Sequence, residues 1–212
     1  MKKTHLAALI TTLVLLALPV LVAVAGRKNA ASVLSPEAQV EDTREFFFSL
    51  LSTKIDDYWH RGDYDNAVRL LRAQIELDPN EVEAYSSAAW LLWSKQHFGE
   101  AEKLYQEGIA RNPKNYHLYF ELGRMYFNTA KPGSLYSKKP EEAKILNQKA
   151  VAQLTLAVQY GAPAEVQRLL ANALHKLGQD GEARKVLEKV LQENPTDALA
   201  RKDLENLKTP RP

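Results

Sequence analysis

The 212-residue chain contains no cysteine, which excludes disulfides, thiolate metal sites and lipoprotein acylation. Its nine glycines are scattered, so no Gly-rich loop is available to cradle a phosphate. The five histidines, His5, His60, His97, His117 and His175, form no His-x-x-x-His or His-Glu pair, and metal sites need clustered ligands. The adjacent carboxylates Asp56-Asp57 and Glu141-Glu142 point apart if they lie on helices, which reads as solvated faces rather than acid–base pairs. An excess of one charge is missing too. The net charge is +2; Lys2 and Lys3 account for it, and the chain beyond Gly26 is neutral. That leaves no basic footprint for a nucleic acid. Alternating β-branched runs are absent, whereas apolar residues recur at helical spacing, as in Val68, Leu71 and Ile75. The composition therefore predicts an all-α, non-enzymatic chain with no cofactor, no metal and no nucleic-acid partner.

What is present is a repeat. Ala67…Leu71…Pro79, Ala101…Tyr105…Pro113 and Ala183…Leu187…Pro195 share one spacing, and the first two phrases are 34 residues apart. Tyr85 and Tyr119 have the same separation. Small residues at Ala67, Ala89, Ala101, Gly108, Gly123, Ala150, Ala157, Ala171 and Ala183 suit close helix crossings. Pro79, Pro113 and Pro195 end helices. Gly62 and Gly178 fit tight turns inside helical hairpins. One such hairpin cannot bury its apolar face alone, so neighbours must stack.

Tyr119-x-x-Leu122-Gly123-x-x-Tyr126 resembles the first-helix signature of the tetratricopeptide repeat, with Tyr in place of the leading Trp. Tyr85-x-x-Ala88-Ala89-x-x-Leu92 is a looser copy. The resemblance covers about three quarters of the chain and implies a right-handed solenoid of about four repeats, at 48–81, 82–115, 116–163 and 164–197. It also implies a protein or peptide partner. The third repeat carries an insertion of about fifteen residues near 130–145, where Lys131-Pro132-Gly133-Ser134 signals a turn and Pro140-Glu141-Glu142 starts a new helix. The insertion reads as a tolerated surface loop or as a partner contact. Residues 198–212 read as a polar capping helix and tail.

The amino terminus, 1–25, is an expected membrane anchor or signal peptide. Leu6 to Ala25 is an uncharged run behind Lys2-Lys3, long enough to span a bilayer, yet Ala23-Val24-Ala25 is a small-x-small cleavage phrase. Both readings place the repeats outside the cytoplasm. They are either tethered to the cell membrane by one pass, or periplasmic or secreted after cleavage near Ala25. Residues 26–47 form a linker and helix extension opened by Ser35-Pro36-Glu37, which is expected to cover the first repeat.

In the family the first helices line the concave face. Carried over position by position, that face holds Asp56, Trp59 and His60, then Ser86, Trp90, Trp93 and Ser94. It continues with Phe120, Arg124, Phe127 and Asn128, and with Arg168, Asn172, His175 and Lys176. The candidate peptide-binding groove is Trp90, Trp93, Phe120, Arg124, Phe127, Asn128, Arg168, Asn172 and Lys176, since aromatic and Arg anchors dominate interfaces. The alternative is that Trp59, Trp90 and Trp93 fill the core. Ser86 and Trp90 stand where chaperone-tail clamps of the family carry cationic and amide groups, so that function is not expected. Charge is also polarised: 41–83 has a balance of −6 and 124–189 of +5, which allows self-association head to tail.

A reporter active only outside the cytoplasm, fused after Pro212, is expected to work. Amino-terminal sequencing then separates the two export readings: a start at Gly26 means cleavage, and an intact Met1 or Lys2 start means an anchor.

Overall fold

The computed structural model describes residues 35–131 and 139–207. The run Leu6–Ala25, most of the 26–35 linker, the turn at 132–138 and the tail after 207 lie outside the described residues, and so does the membrane or signal reading. No described helix is long and apolar enough to cross a membrane. The chain divides into two units, Met1–Thr43 and Arg44–Pro212. In the first, Ser35 caps the start of α1: its hydroxyl accepts from the Ala38 N–H at 3.3 Å, with Pro36 at the first helical position.

All regular structure among the described residues is helical. The elements are α1 (Pro36–His60), α2 (Tyr64–Leu77), α3 (Val82–Ser94), α4 (Phe98–Arg111), α5 (Tyr116–Thr129), α6 (Pro140–Gln159), α7 (Ala164–Lys176), α8 (Asp180–Glu193) and α9 (Ala198–Asn206). In the second unit, α2 to α9 each pack against the next helix in the chain. The first helices of successive hairpins also contact one another, α3 with α5, α5 with α7 and α7 with α9. The backbones of the second helices α2, α4, α6 and α8 stay further apart, and α4 and α6 meet through the Glu102–Lys149 ion pair at 2.9 Å. A stack closer along one edge bends towards that edge, so α3, α5 and α7 line its inner side.

The core follows the repeat. Ala67, Ala89, Ala101, Ala150, Ala157, Ala171 and Ala183 are buried at the crossings, beside Tyr85, Tyr105, Leu122, Leu154 and Leu187. Two glycines set how near the helices come. A Cβ on Gly108 would stand 2.8 Å from Tyr85 Cγ, and one on Gly123 would stand 2.8 Å from Leu154 Cγ. Burial pushes the Tyr105 hydroxyl up from its ordinary pKa. Burial also pushes Tyr126 up, aided by its bond to Glu102 at 2.6 Å. Burial opposes ionisation of Glu102, but the bonds from Tyr126 and Lys149 outweigh it and hold the carboxyl below its usual range. One carboxylate thus joins α4, α5 and α6.

One feature departs from the sequence reading. Gly62 and Gly178 do occupy left-handed turns (φ +71° and +81°), but the equivalent turn one period after Gly62 is made by Gln96 with φ 69°, a conformation costing a side-chain-bearing residue about 1–3 kcal/mol. Within 44–60, Ile55 and Tyr58 of α1 pack against the core, while Phe46 and Leu50 are exposed. Polar ties add to the hold on α2: Gln74 donates to Ser52 Oγ at 2.8 Å, and Arg44 pairs with Asp78 at 3.3 Å.

Substituting Gly108→Ala or Gly123→Ala should destabilise the chain by about 1–3 kcal/mol through overpacking. Gly99→Ala, with nothing within 4 Å of the new Cβ, should be neutral or slightly stabilising in a helix. Urea unfolding followed by circular dichroism measures all three.

Candidate functional site

The residues expected in the groove lie on the first helices α3, α5 and α7. Trp90, Trp93, Phe120, Arg124, Phe127, Asn128, Arg168 and Asn172 are partly buried and Lys176 is exposed, and the four rings pack against the core. Trp59, near the end of α1, stacks on Trp90 of α3 with ring centroids 5.4 Å apart and planes at 20°. Its edge meets Tyr64 at 5.9 Å. Trp93 reaches across to α5, where its indole N–H donates to Thr129 Oγ1 at 3.2 Å. Thr129 is buried and in turn donates to the Met125 carbonyl at 2.6 Å. Trp90 and Trp93 pack against the core with part of each ring accessible, and Trp59 is more exposed. Each bridges to a neighbouring helix with one face against the fold.

The middle of the site is aromatic and cationic. The Arg124 guanidinium lies over the Phe120 ring at 5.4 Å and is ion-paired to the buried Glu121. Lys131 Nζ sits 5.7 Å from the Phe127 ring. Such contacts fix the cation above the ring while leaving its outer side to solvent. Asn128 and Asn172 carry side-chain amides with no hydrogen-bond partner among the described residues.

Two residues play roles that the spacing did not show. Ser86, read as facing the groove, is buried, and its hydroxyl lies 3.3 Å from His117 Nε2; the following helix covers it. Arg168 pairs with Asp197 at 2.7 Å, with side chains 18% and 9% exposed. Asp197 also accepts from the Leu199 and Ala200 N–H groups at 3.0 and 2.9 Å as the cap of α9. Arg168 thus holds the terminal helix rather than standing free for a ligand. The signal was an Asp two residues past Pro195, a helix-cap residue whose tertiary partner no local pattern reveals. His175 is likewise engaged, bonding Asp180 at 2.7 Å.

No group of three or more His, Asp or Glu able to hold a metal occurs among the described residues. A recess of about 250 Å³ lies elsewhere, lined by Arg44, Glu45, Phe48, Ser49, Asp78 and Glu81, and its one guanidinium is paired to Asp78.

Sequence models of the tetratricopeptide repeat match residues 58–122 and 164–205, together about half of the chain. The chain belongs to the tetratricopeptide repeat family. No protein of curated function matches it. Among solved structures it is similar to MamA, at 17% identity over 76% of this chain and 80% of that one, with a TM-score of 0.57. It is also similar to PilF of Pseudomonas aeruginosa, at 17% identity over 80% and 69%, TM-score 0.56. A segment of MamA from Desulfovibrio magneticus RS-1 aligns at 16% identity over 75% and 88%, TM-score 0.52. At these identities the likeness concerns the solenoid fold.

The Ala200 N–H, the Arg168 charge and the Leu199 N–H hold the Asp197 carboxyl below its usual range. A depressed pKa contributes stability that is complete above the unfolded value, near 4, and is lost as pH falls through the folded one. Protection factors of the α9 amides, with the intrinsic rate at each pH divided out, should therefore fall below about pH 4, and Asp197→Asn should lower them already at pH 7.

Proposed function

We propose that the chain is a non-enzymatic adaptor that binds a protein segment along the inner edge of its solenoid, outside the cytoplasm and tethered by Leu6–Ala25, in an envelope assembly. The observation that carries the reading is the group of rings Trp59, Trp90, Trp93, Phe120 and Phe127 on the first helices, which keep part of their surface accessible while the last four also pack against the core. Rings held rigid by stacking and by the Trp93–Thr129 bond lose little freedom on binding, which is what interface anchors require. Placement of the repeats outside the cytoplasm is supported by the uncharged run behind Lys2-Lys3.

A second reading is self-association through the ends of the repeats. It is favoured by the exposed Phe46 and Leu50 of α1 and by the opposite charge of the 41–83 and 124–189 segments.

Crosslinking and pull-down from native membranes tests the first reading. Trp90→Ala and Phe120→Ala should each lose the captured partner, a loss of about 2 kcal/mol or more in binding, while melting close to the parent. A variant that unfolds, or one that melts like the parent and still captures its partner, removes that residue from the site. Sedimentation of a Phe46→Ser, Leu50→Ser double variant tests the second. A parent oligomer that dissociates in the variant supports self-association, and a parent monomer rules it out.

A further inference from the structure

Several rings of this chain hold cations of its own. Arg61 lies over Tyr58 at 5.0 Å, Arg124 over Phe120 at 5.4 Å, Lys131 over Phe127 at 5.7 Å and Lys149 over Tyr126 at 5.1 Å. One group of rings holds none. Trp59 is stacked on Trp90, and Tyr64 stands beside Trp59 with ring centroids 5.9 Å apart and planes at 69°. Among the described residues no Lys or Arg lies over any of these three rings. Yet tryptophan attracts a cation more strongly than tyrosine or phenylalanine does. Trp59 and Tyr64 are 38% and 37% exposed, so two steeply inclined rings meet solvent side by side.

A carboxylate stands with them. Asp56 precedes Trp59 by three residues on α1, and residues so spaced share one side of a helix. The Asp56 side chain is 74% exposed, and its one partner among the described residues is His60 of the same helix at 3.4 Å. The cations of this stretch are turned to Asp57 instead, Lys54 at 3.5 Å and Arg61 at 2.8 Å. An anionic ligand would meet a carboxylate and the negative faces of the rings. An apolar one would use the rings and leave the charge of Asp56 unanswered. A cation uses both. A guanidinium does so better than an ammonium, because it is planar: it stacks flat on an indole while the N–H groups at its edge reach a carboxylate.

We propose that Trp59, Tyr64 and Trp90, with Asp56, form a seat for an arginine side chain of the bound protein segment. The proposal rests on the inner-edge reading and supplies the chemistry of one contact. Charge further along sets which part of the segment enters the seat. Lys131, just beyond α5, and Lys176, at the end of α7, are exposed and have no ion pair among the described residues. They repel an arginine that the Trp59 end attracts.

The three tryptophans give three indole N–H signals in a nitrogen-15 spectrum of the full-length chain, assigned with the variants Trp59→Phe, Trp90→Phe and Trp93→Phe. The probes are N-acetyl-arginine amide, its lysine counterpart and its citrulline counterpart, which keeps the shape of arginine without the charge. The arginine compound should move the Trp59 and Trp90 signals saturably and leave Trp93, whose N–H is bonded to Thr129, in place. The lysine compound should bind more weakly and the citrulline compound should move nothing. Asp56→Asn should weaken the arginine response about threefold or more. Asp56→Arg, which brings a guanidinium of the chain to the seat, should abolish it, with the melting temperature of both variants unchanged. No movement with the arginine compound overturns the proposal, and so does an equal response to citrulline; both are read on the parent chain and need no variant. An Asp56→Arg chain that titrates like the parent also sinks the seat. The partner pull-down with Trp90→Ala then decides the inner-edge reading separately, since a partner lost there leaves that reading standing without the seat.

Discussion

Everything in the solenoid depends on how close two helices can come. Gly123 faces Leu154 and Gly108 faces Tyr85 at distances that leave no room for a methyl group. Where the crossing is tight, large apolar side chains on either side of it become fully buried, and the hairpin becomes a rigid unit. Tightness along α3, α5 and α7 then turns the remaining side chains of those helices outward, towards the inner edge. The site is thus a by-product of packing. Residues not needed to close the crossings are free to be chosen for what they touch.

Several polar ties work between repeats. Glu102 joins three helices through Tyr126 and Lys149, Trp93 reaches Thr129, and Arg168 holds Asp197. Each crosses from one hairpin to the next, where apolar contact is thinner. An interface made only of alanine and leucine would tolerate sliding by one turn, whereas a directional bond admits one register.

How much of this could be read in advance differs by position. Ala67, Ala101, Gly123 and the prolines were legible because packing and chain reversal each accept few residue types. Arg168 was not, because its partner lies 29 residues on, in a helix whose return path depends on the whole last hairpin. Gln96 was not, since nothing about glutamine announces a left-handed turn. Ser86 was misplaced because its burial is imposed by His117 of the next repeat.

The second helices meet through the Glu102–Lys149 ion pair rather than through their backbones, and that has a mechanical consequence. The stack is joined closely along one edge and loosely along the other, like pages bound at a spine. Its resistance to bending is concentrated in the inner seam. A pull that widens the inner edge acts first on the Trp59–Trp90 stack and the Trp93–Thr129 bond and leaves the cores of the hairpins intact. Strain is therefore registered by the same aromatic side chains that face outward there, and the tension in the molecule and the spacing of its rings are one variable.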